Sequence, residues 1–482
     1  HLGVFDVADD RAVFDRLAEL GSPEYTHRYY VDATPTEADA FFDGRWHSVL
    51  VGGLGGGGQA VYALDITQAP TGLTSESSIA EKVLWEFGDT DDADLGYTFS
   101  RPQVVRLHNG KWSAVFGNGY NNTEVDGAQS SSGNAVLYIV DMANGSLIRK
   151  IDTGVGTASD PTDASRPNGL ATVAPADVNG DGIVDFVYGG DLFGNLWKFD
   201  LSATSPESWA ISHNKPLFKA VHGEGAAAYH QPITTQPSIR RHPTGRGYLI
   251  VFGTGKYLET TDAAPKSTVE SVYGIWDRDL AAPDDISRSK LLAQAIEAEL
   301  NVHDRDWRIV SNEPISWYGD GDADPEQSHF GWYLDLVVQG KQPAGEMQVT
   351  DTLISGDRLL FTTLIPNDDP CSQGGESWLM ALDYRDGSRI DEISIFDVDG
   401  KDGFNRDDYV RPGAGEEPVP VSGAKSQTGV LQQPTLGAGD GSDIAYLGPG
   451  THGEGSECKG QDCETINRTP ALWNRQSWRQ LR

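Results

Sequence analysis

DFVYGGDLFGNLWKFD, residues 185–200, places two short apolar runs on either side of a glycine-rich turn. Runs of four to eight residues rich in Val, Phe, Tyr and Trp and bounded by Gly or Asp are typical of β-strands. The stretch therefore predicts a β-hairpin whose second strand closes on an aromatic residue and an Asp.

The same unit recurs along the chain. Each copy is an apolar run, a Gly-rich turn and a second run that ends on a large apolar residue and an Asp. Five copies are hard to explain by chance, so we interpret the chain as a repeat architecture. The other four are VLVGGLGGGGQAVYALD (49–65), AVFGNGYNN followed by AVLYIVD (114–141), LIVFGTGKYLE followed by SVYGIWD (249–277), and RLLFTTLIPN followed by SWLMALD (358–383).

An X-Pro pair that opens a short strand runs ahead of these units, because the residue before proline is pushed toward extended geometry. The spacing of about 60 to 75 residues between the first four pairs suits a four-stranded antiparallel blade. We predict an all-β fold, a modified seven-bladed β-propeller that forms one domain over residues 1–482. The pairs are Thr34-Pro35, Arg101-Pro102, Ala174-Pro175, Gln236-Pro237 and Gln433-Pro434.

The regularity breaks in one place. DISRSKLLAQAIEAELN, residues 285–301, carries helical periodicity, and we predict a helical insertion there. Stretches rich in Gly, Ser, Asp and Pro at 121–134, 155–170 and 400–428 predict long loops that decorate the blades.

Charge excludes several classes of partner. Asp and Glu number 71 against 37 Lys and Arg, which gives a formal net charge of -34. Nucleic acids and anionic membrane surfaces both bind to positively charged protein surfaces, so neither is expected as a partner. No apolar run approaches the roughly 20 residues that span a bilayer, so direct membrane insertion is not expected. The excess of negative charge instead favours cations as ligands.

The ends of the chain carry two further expectations. It begins at His1 without a basic segment or an apolar signal core, so we expect a C-terminal fragment of a longer chain whose targeting signal lies upstream. Cys458 and Cys463 lie close together in a Gly-rich loop, which favours a local disulfide over a zinc half-site, and Cys371 is left over.

DVNGDGIVD, residues 177–185, crowds three carboxylates and an amide onto alternate positions. Hard cations such as Ca²⁺ take six to eight oxygen ligands, and a glycine at the sixth position permits the sharp turn that such a loop needs. A bound cation would offset the repulsion between the carboxylates. The predicted ligands of a single Ca²⁺ are the side chains of Asp177, Asn179, Asp181 and Asp185 and the backbone carbonyl of Ile183.

The twelfth position of this loop is Tyr188, where a calcium-binding helix-loop-helix would place Glu, so we expect the site between two strands. An acidic turn held by Asx hydrogen bonds is the alternative.

Two other acidic stretches are weaker candidates. Residues 396–408 begin with Asp397 and Asp399 but place Lys401 where a third carboxylate should be, so a second metal would need a shifted register through Asp402 or Asp408. Residues 318–326 are interpreted as a solvated loop.

No enzyme signature is present, whether a GxSxG elbow, an HExxH helix or a phosphate-binding loop ending in GK[ST]. GGLGGGGQ, residues 52–59, is interpreted as a blade turn. The alternative from the enzyme class is a propeller similar to the pyrroloquinoline-quinone dehydrogenases. Those enzymes use two adjacent cysteines at the quinone, and this chain has no Cys-Cys pair.

Several long stretches, LGYTFSRPQVVRLHNGKWSAVFGNGYNN, GGDLFGNLWKFDLS, FGTGKYLE and the terminal RQSWRQL, resemble the C-terminal propeller of the PilY family of type IV pilus biogenesis factors and tip-associated adhesins. The resemblance extends over nearly the whole chain. It implies a modified seven-bladed propeller with one calcium loop whose occupancy regulates pilus extension and retraction. The family's loop ligands fall on Asp177, Asn179, Asp181, Asp185 and the Ile183 carbonyl. The Arg-Gly-Asp tripeptide linked to integrin binding in some members is absent.

The sequence-based hypothesis is a non-enzymatic, calcium-binding regulator of type IV pili that is also a surface adhesin, supporting pilus biogenesis, twitching motility and attachment. Its expected partners are pilins and minor pilins, and the host-cell surface. We expect a monomeric fragment at the bacterial cell surface or pilus tip, either associated with the outer membrane or extracellular.

Overall fold

The computed structural model describes residues 18, 20–67, 78, 80–125, 128–264, 266–280, 285–319, 328–367, 374–401, 404–427, 429–438, 442–446 and 463–467. The chain divides into two compact units, His1–Pro237 and Ser238–Arg482, and each is described by itself. The prediction of one propeller domain over 1–482 stays a prediction, as does the count of seven blades. None of the helices within the described ranges is long and apolar enough to cross a bilayer.

The described part of the first unit contains three antiparallel sheets whose strands pair in chain order. The strands of the first sheet are β1 (Thr36–Phe42), β2 (Arg45–Gly53), β3 (Ala60–Asp65) and β4 (Val83–Gly88). Those of the second are β5 (Gln103–Arg106), β6 (Trp112–Gly117), β7 (Val136–Asp141) and β8 (Leu147–Asp152). Those of the third are β9 (Ala174–Ala176), β10 (Phe186–Gly190), β11 (Asn195–Asp200) and β12 (Ala210–Ile211), with β13 (Phe218–Lys219) also on β11. A two-stranded ribbon follows, β14 (Val221–His222) with β15 (Tyr229–His230).

The second sheet is buried on both faces. All six residues of β7 are buried. Successive side chains of a strand point to opposite faces, and here Leu137 and Ile139 join one apolar cluster while Val136, Tyr138 and Val140 join another. The first cluster also contains residues of the third sheet, and the second contains residues of the first sheet. Sheets stacked face to face in this way are the arrangement expected of consecutive propeller blades.

The hairpin of residues 185–200 forms as predicted, with β10 and β11 paired. Its turn is held by Asp191, whose buried carboxylate accepts hydrogen bonds from the Asn168 amide and the Trp197 indole, at 2.9 and 2.8 Å. Gly194 in the turn has a φ of 76°, and a Cβ there would lie 2.7 Å from the carbonyl oxygen of Gln231. Glycine is therefore required for both conformation and space.

The described part of the second unit contains a ten-stranded sheet and a separate three-stranded sheet. Within 238–338 the strands are β16 (Ser238–Arg241), β17 (Tyr248–Gly253), β18 (Ser271–Asp277), β19 (Leu292–Val302), β20 (Arg305–Val310) and β21 (Gly331–Val338). The remaining strands are β22 (Leu353–Ser355), β23 (Arg358–Pro366), β24 (Gly375–Asp383), β25 (Gly423–Lys425), β26 (Thr435–Ala438), β27 (Ser442–Tyr446) and β28 (Cys463–Asn467).

The ten-stranded sheet has the order β16-β17-β18-β21-β19-β20-β25-β24-β23-β22, and the separate sheet has the order β26-β27-β28. A long hairpin, β19 and β20, joins two four-stranded groups of the larger sheet through the parallel pair β19-β21 and the antiparallel pair β20-β25.

Short 3₁₀ turns join the strands, and they are the helical elements with defined bounds in the described part of the chain. They are Gly55–Gly57, Thr157–Ser159, Pro206–Ser208, Ser212–Asn214, Gly225–Ala227, Thr260–Ala263, Arg288–Lys290 and Arg406–Asp408.

The predicted helical insertion at 285–301 is wrong, because Leu292–Val302 is strand β19. The segment is rich in Ala and Glu, which favours a helix, but the large apolar residues of β19 all lie an even number of positions apart, as on one face of a strand: Leu292, Ile296, Leu300 and Val302. Pairing with β20 and β21 provides the backbone hydrogen bonds of that strand. His303 and Asp304, with φ of 53° and 61°, form the tight turn to β20. Two positive φ angles in a two-residue turn mark a hairpin, and a helical period does not reveal them.

All five predicted hairpins are confirmed, as the strand pairs β2-β3, β6-β7, β10-β11, β17-β18 and β23-β24. The X-Pro pairs lie at or just before β1, β5, β9, β16 and β26, each at the edge of its sheet or sheet path. Proline lacks a backbone donor, which suits an edge strand.

Two predictions lie outside the described residues. The loop at 318–326 does so from residue 320 onward, and so do the side chains of Cys371, Cys458 and Cys463, so the disulfide stays a prediction.

Candidate metal centre

The acidic loop 177–185 connects β9 to β10 in the third sheet, between two strands as the sequence predicted. Its ends are held by the pairing of Ala176 with Phe186. The Asp185 amide donates to the Ala176 carbonyl at 2.9 Å. The loop is therefore anchored on a buried hairpin.

Hydrogen bonds from the loop's own backbone hold its acidic side chains. The Asp177 carboxylate accepts from the amides of Gly180 and Gly182, each at 2.7 Å. Asn179 Oδ1 accepts from the Asp181 amide at 2.8 Å, and Asp181 Oδ1 accepts from the Ile183 amide at 2.8 Å. These bonds wind the chain tightly around its oxygen-bearing side chains, a path that suits a hard-cation loop. They are also the Asx hydrogen bonds that the alternative of an acidic turn predicts.

Gly180 and Gly182 have φ of 79° and 81°, a conformation that L side chains rarely adopt. A Cβ at either position would meet no heavy atom within 4 Å, so glycine is required by the backbone alone.

Asp185 differs from the other acidic residues of the loop in being 5% exposed, whereas Asp177 and Asp181 are exposed. Its Oδ2 accepts from the Val178 amide at 2.9 Å. Its Oδ1 lies 2.9 Å from Nε2 of His108 in the β5-β6 turn. His108 is not predictable from the sequence, because a contact between neighbouring sheets leaves no local signal in the chain.

The structure thus places all five predicted ligand residues in one short loop, and their donors are the oxygens that Ca²⁺ prefers. The residues present fit the ion. Calcium binding at this loop stays a prediction, as do its ligand oxygens and its single-site stoichiometry.

A second acidic cluster lies in the loop after β24. Carboxylate oxygens of Asp397, Asp399 and Asp408 lie within 4.8 Å of one another, and across the described ranges theirs is the one such carboxylate, His or Cys group. The three carboxylates of the loop 177–185 are less tightly gathered. The cluster includes Asp408, one of the two residues that the sequence offered for a shifted register, and the other, Asp402, lies outside the described residues.

The second cluster repeats part of the first loop's hydrogen bonding. Asp408 Oδ1 accepts from the Val398 amide at 2.8 Å, and Asp397 Oδ1 accepts from the Gly400 amide at 2.8 Å. Burial and the nearby charges of Asp408 and Asp399 raise the pKa of Asp397. Lys401 Nζ lies 2.8 Å from Asp399 Oδ2, and this hydrogen bond lowers the pKa of Asp399. The cluster thus already holds one cationic group of its own.

Comparison with known proteins places the fold in a family. The profile described as "PilY1 beta-propeller domain" matches residues 5–302. The chain belongs to the PilY1 β-propeller family. A solved structure of the Pseudomonas aeruginosa PilY1 C-terminal domain matches with a TM-score of 0.72 and 33% identity, over 92% of this chain and 85% of that one.

PilY1 relatives also match at the level of sequence. A type IV pilus biogenesis factor PilY1 homolog of Xylella fastidiosa is 38% identical over 487 residues, which cover 98% of this chain and 31% of the relative. The type IV pilus biogenesis factor PilY1 of Pseudomonas aeruginosa strain PAO1 is 36% identical over 502 residues, 98% of this chain and 39% of the relative. The chain thus spans less than half the length of these PilY1 proteins. The relatives are named as pilus biogenesis factors, so the quinone dehydrogenase alternative is not favoured.

Proposed function

We propose that this chain is the calcium-binding propeller of a type IV pilus biogenesis factor, acting without enzymatic chemistry at the cell surface or pilus tip. The observation that carries the proposal is the loop 177–185, which presents an all-oxygen ligand set on a buried hairpin within a PilY1-family fold. One Ca²⁺ is bound by the side chains of Asp177, Asn179, Asp181 and Asp185 and the carbonyl of Ile183.

When bound, the ion supplies positive charge that neutralises three neighbouring carboxylates. The chain supplies the rest. Backbone amides orient the Asp177 and Asp181 side chains, and the strand pairing at Ala176 fixes one end of the loop. Without the ion, repulsion between carboxylates opposes that arrangement, so ion binding and loop order are linked.

The regulatory part of the proposal is that pilus components bind the calcium-ordered loop region better than the calcium-free one. The partners proposed are pilins and minor pilins, and adhesion to a host-cell surface belongs to the same proposal. Thermodynamic linkage makes this coupling reciprocal. If bound calcium raises the chain's affinity for a partner by some factor, the bound partner must raise the chain's affinity for calcium by the same factor. Regulation of pilus extension and retraction, twitching motility and attachment would follow from that coupling.

The test uses the full-length protein in its own cell. Asp185→Ala and Asp181→Ala are introduced separately, the second because Asp181 is exposed and its loss spares the buried hairpin. Glu37→Gln, an exposed acid on β1, is the matched control for loss of one negative charge. Surface pilin and twitching are measured across a range of external calcium.

The proposal predicts that both loop variants lose the calcium response while Glu37→Gln keeps it. A normal calcium response in a stably folded Asp181→Ala strain would refute the regulatory role. A purely structural calcium would instead lower protein abundance and leave partner binding by the folded Asp185→Ala chain unchanged.

A further inference from the structure

The buried carboxylate of Asp185 forms hydrogen bonds with its own loop and with a residue of the neighbouring sheet. Its Oδ2 accepts from the Val178 amide of its own loop at 2.9 Å. Its Oδ1 is 2.9 Å from His108 Nε2, a residue 77 positions earlier in the turn between β5 and β6. An ionised carboxylate only accepts, so Nε2 carries the proton and donates it to this bond.

The turn that carries His108 is itself well held. The Leu107 amide donates to the Lys111 carbonyl at 3.0 Å, and the Gly110 amide donates to the Leu107 carbonyl at 2.9 Å. A second bond ties the turn region to the acidic loop, from the Val184 amide to the Arg106 carbonyl at 3.0 Å. The imidazole therefore projects from a closed hairpin onto a neighbouring hairpin.

This geometry matters for a metal ligand. Carboxylates that bind metals depend on outer hydrogen bonds for their orientation, and loss of such a bond typically costs 10- to 100-fold in affinity. Each carboxylate oxygen has two lone pairs, so the bonds from His108 and Val178 leave capacity for a cation. Among the acidic ligands, Asp185 alone is buried, so solvent cannot replace a lost donor easily.

We propose that His108 is a positioning residue for the calcium loop, and that through it ion binding at 177–185 is transmitted to the β5-β6 hairpin of the neighbouring sheet. This inference rests on the proposed calcium site. Ordering of the loop 177–185 by calcium would thereby change the surface of the β5-β6 hairpin.

The test measures the Ca²⁺ affinity of the 482-residue chain by calorimetry. His108→Ala is compared with His108→Gln, whose amide can still donate. His47→Ala is the matched control, because His47 Nδ1 lies 3.0 Å from Asp65 Oδ2 in the first sheet, away from the loop.

We expect His108→Ala to weaken calcium binding by about 10- to 100-fold, His108→Gln to restore much of it, and His47→Ala to leave it unchanged. A second readout is amide hydrogen exchange. Added calcium should protect residues 107–111 as well as 178–185 in the parent chain, and only the latter in His108→Ala.

Two failures are distinguishable. A parent chain that binds no calcium overturns the proposed function and this inference with it. A parent that binds calcium, with His108→Ala affinity within twofold and hairpin protection retained, overturns the inference alone. If His108→Ala does not fold, His108→Leu, which keeps side-chain bulk but has no hydrogen-bond donor, replaces it. Weaker calcium binding and loss of protection at residues 107–111 in that variant would support the inference, and parent-like affinity and protection would overturn it.

Discussion

Single residues of this chain have roles that depend on one or two neighbours. Asp185 is buried and hydrogen-bonded to Val178 and His108, whereas Asp177 and Asp181 are exposed and accept hydrogen bonds from amides of their own loop. The spacing of acidic residues was sufficient to predict the loop. It could not predict His108, because that contact requires two sheets to be packed first.

At the residue scale, Gly182→Ala is expected to destabilise the loop by about 1 kcal/mol or more, because its φ of 81° is unfavourable for Ala. Gly182→Asn should cost less, since Asn tolerates the left-handed region better. Calcium affinity should fall in the same order. Calorimetric titration of both variants checks this, and equal affinities for Ala, Asn and Gly would contradict it.

The buried carboxyl group of Glu270 should make the free energy of unfolding depend on pH. Burial raises the pKa of its carboxyl to about 7, against the opposing effects of a hydrogen bond with Thr254 and the charge of Lys266. The folded state therefore holds this proton at a pH where the unfolded chain has released it. Between about pH 4.5 and pH 7 this group makes the free energy of unfolding fall as pH rises, by up to about 3 kcal/mol.

Glu270→Gln removes that titration. As pH rises from 5 to 8, the parent should lose stability relative to Glu270→Gln, which has no proton to release at this position. Urea denaturation at each pH measures the free energy of unfolding of both proteins. Glu37→Gln, on an exposed acid, serves as control. A parallel pH profile for parent and Glu270→Gln would contradict the assignment.

At the scale of elements, the β19-β20 hairpin joins two groups of strands and carries a buried ion pair. Arg308 on β20 is 3% exposed at its side chain and donates to both carboxylate oxygens of Glu346, at 2.6 and 2.8 Å. Its guanidinium also lies 3.9 Å from the ring centroid of Trp378. The hairpin is thereby fixed to the segment that precedes β22.

Arg308→Met should cost about 3 to 5 kcal/mol in free energy of unfolding, because it leaves the Glu346 charge buried and unpaired. The double variant Arg308→Met/Glu346→Gln should recover much of that loss, since the buried Glu346 charge is then removed. Glu299, whose carboxylate lies 3.5 Å from Arg308, keeps its charge but is partly exposed. Urea denaturation followed by tryptophan fluorescence measures both. If the double variant is as unstable as the sum of the single changes, the pair is not coupled as described.

Elements also show where sequence reasoning succeeds and where it stops. The five hairpins were predictable because Gly-rich turns between apolar runs determine them locally. Strand β19 was not, because Ala- and Glu-rich sequence suits a helix and only pairing with β20 and β21 makes it a strand. The gathering of Asp397, Asp399 and Asp408 depended likewise on a loop path that spacing alone left open.

At the scale of the whole molecule, the formal charge of -34 makes binding of a cation electrostatically favourable, and it also makes non-specific cation binding a concern. A specific site must therefore be separated from the general acidic field. Ca²⁺ at 100 times its dissociation constant should add about 2.7 kcal/mol to the free energy of unfolding of the cooperative unit that contains the loop. Thermal unfolding with and without calcium measures this stabilisation, and a rise of equal size with Mg²⁺ would contradict a specific site.

The most direct test of the central claim is calorimetric titration of the chelator-stripped chain with Ca²⁺, beside the Asp177→Ala/Asp181→Ala variant and with Mg²⁺ as control. Both substituted residues are exposed, so the fold should survive. We predict saturable binding of one Ca²⁺ in the parent, loss of that binding in the variant, and weak heat with Mg²⁺. Identical isotherms for the folded parent and folded variant would contradict calcium binding at 177–185.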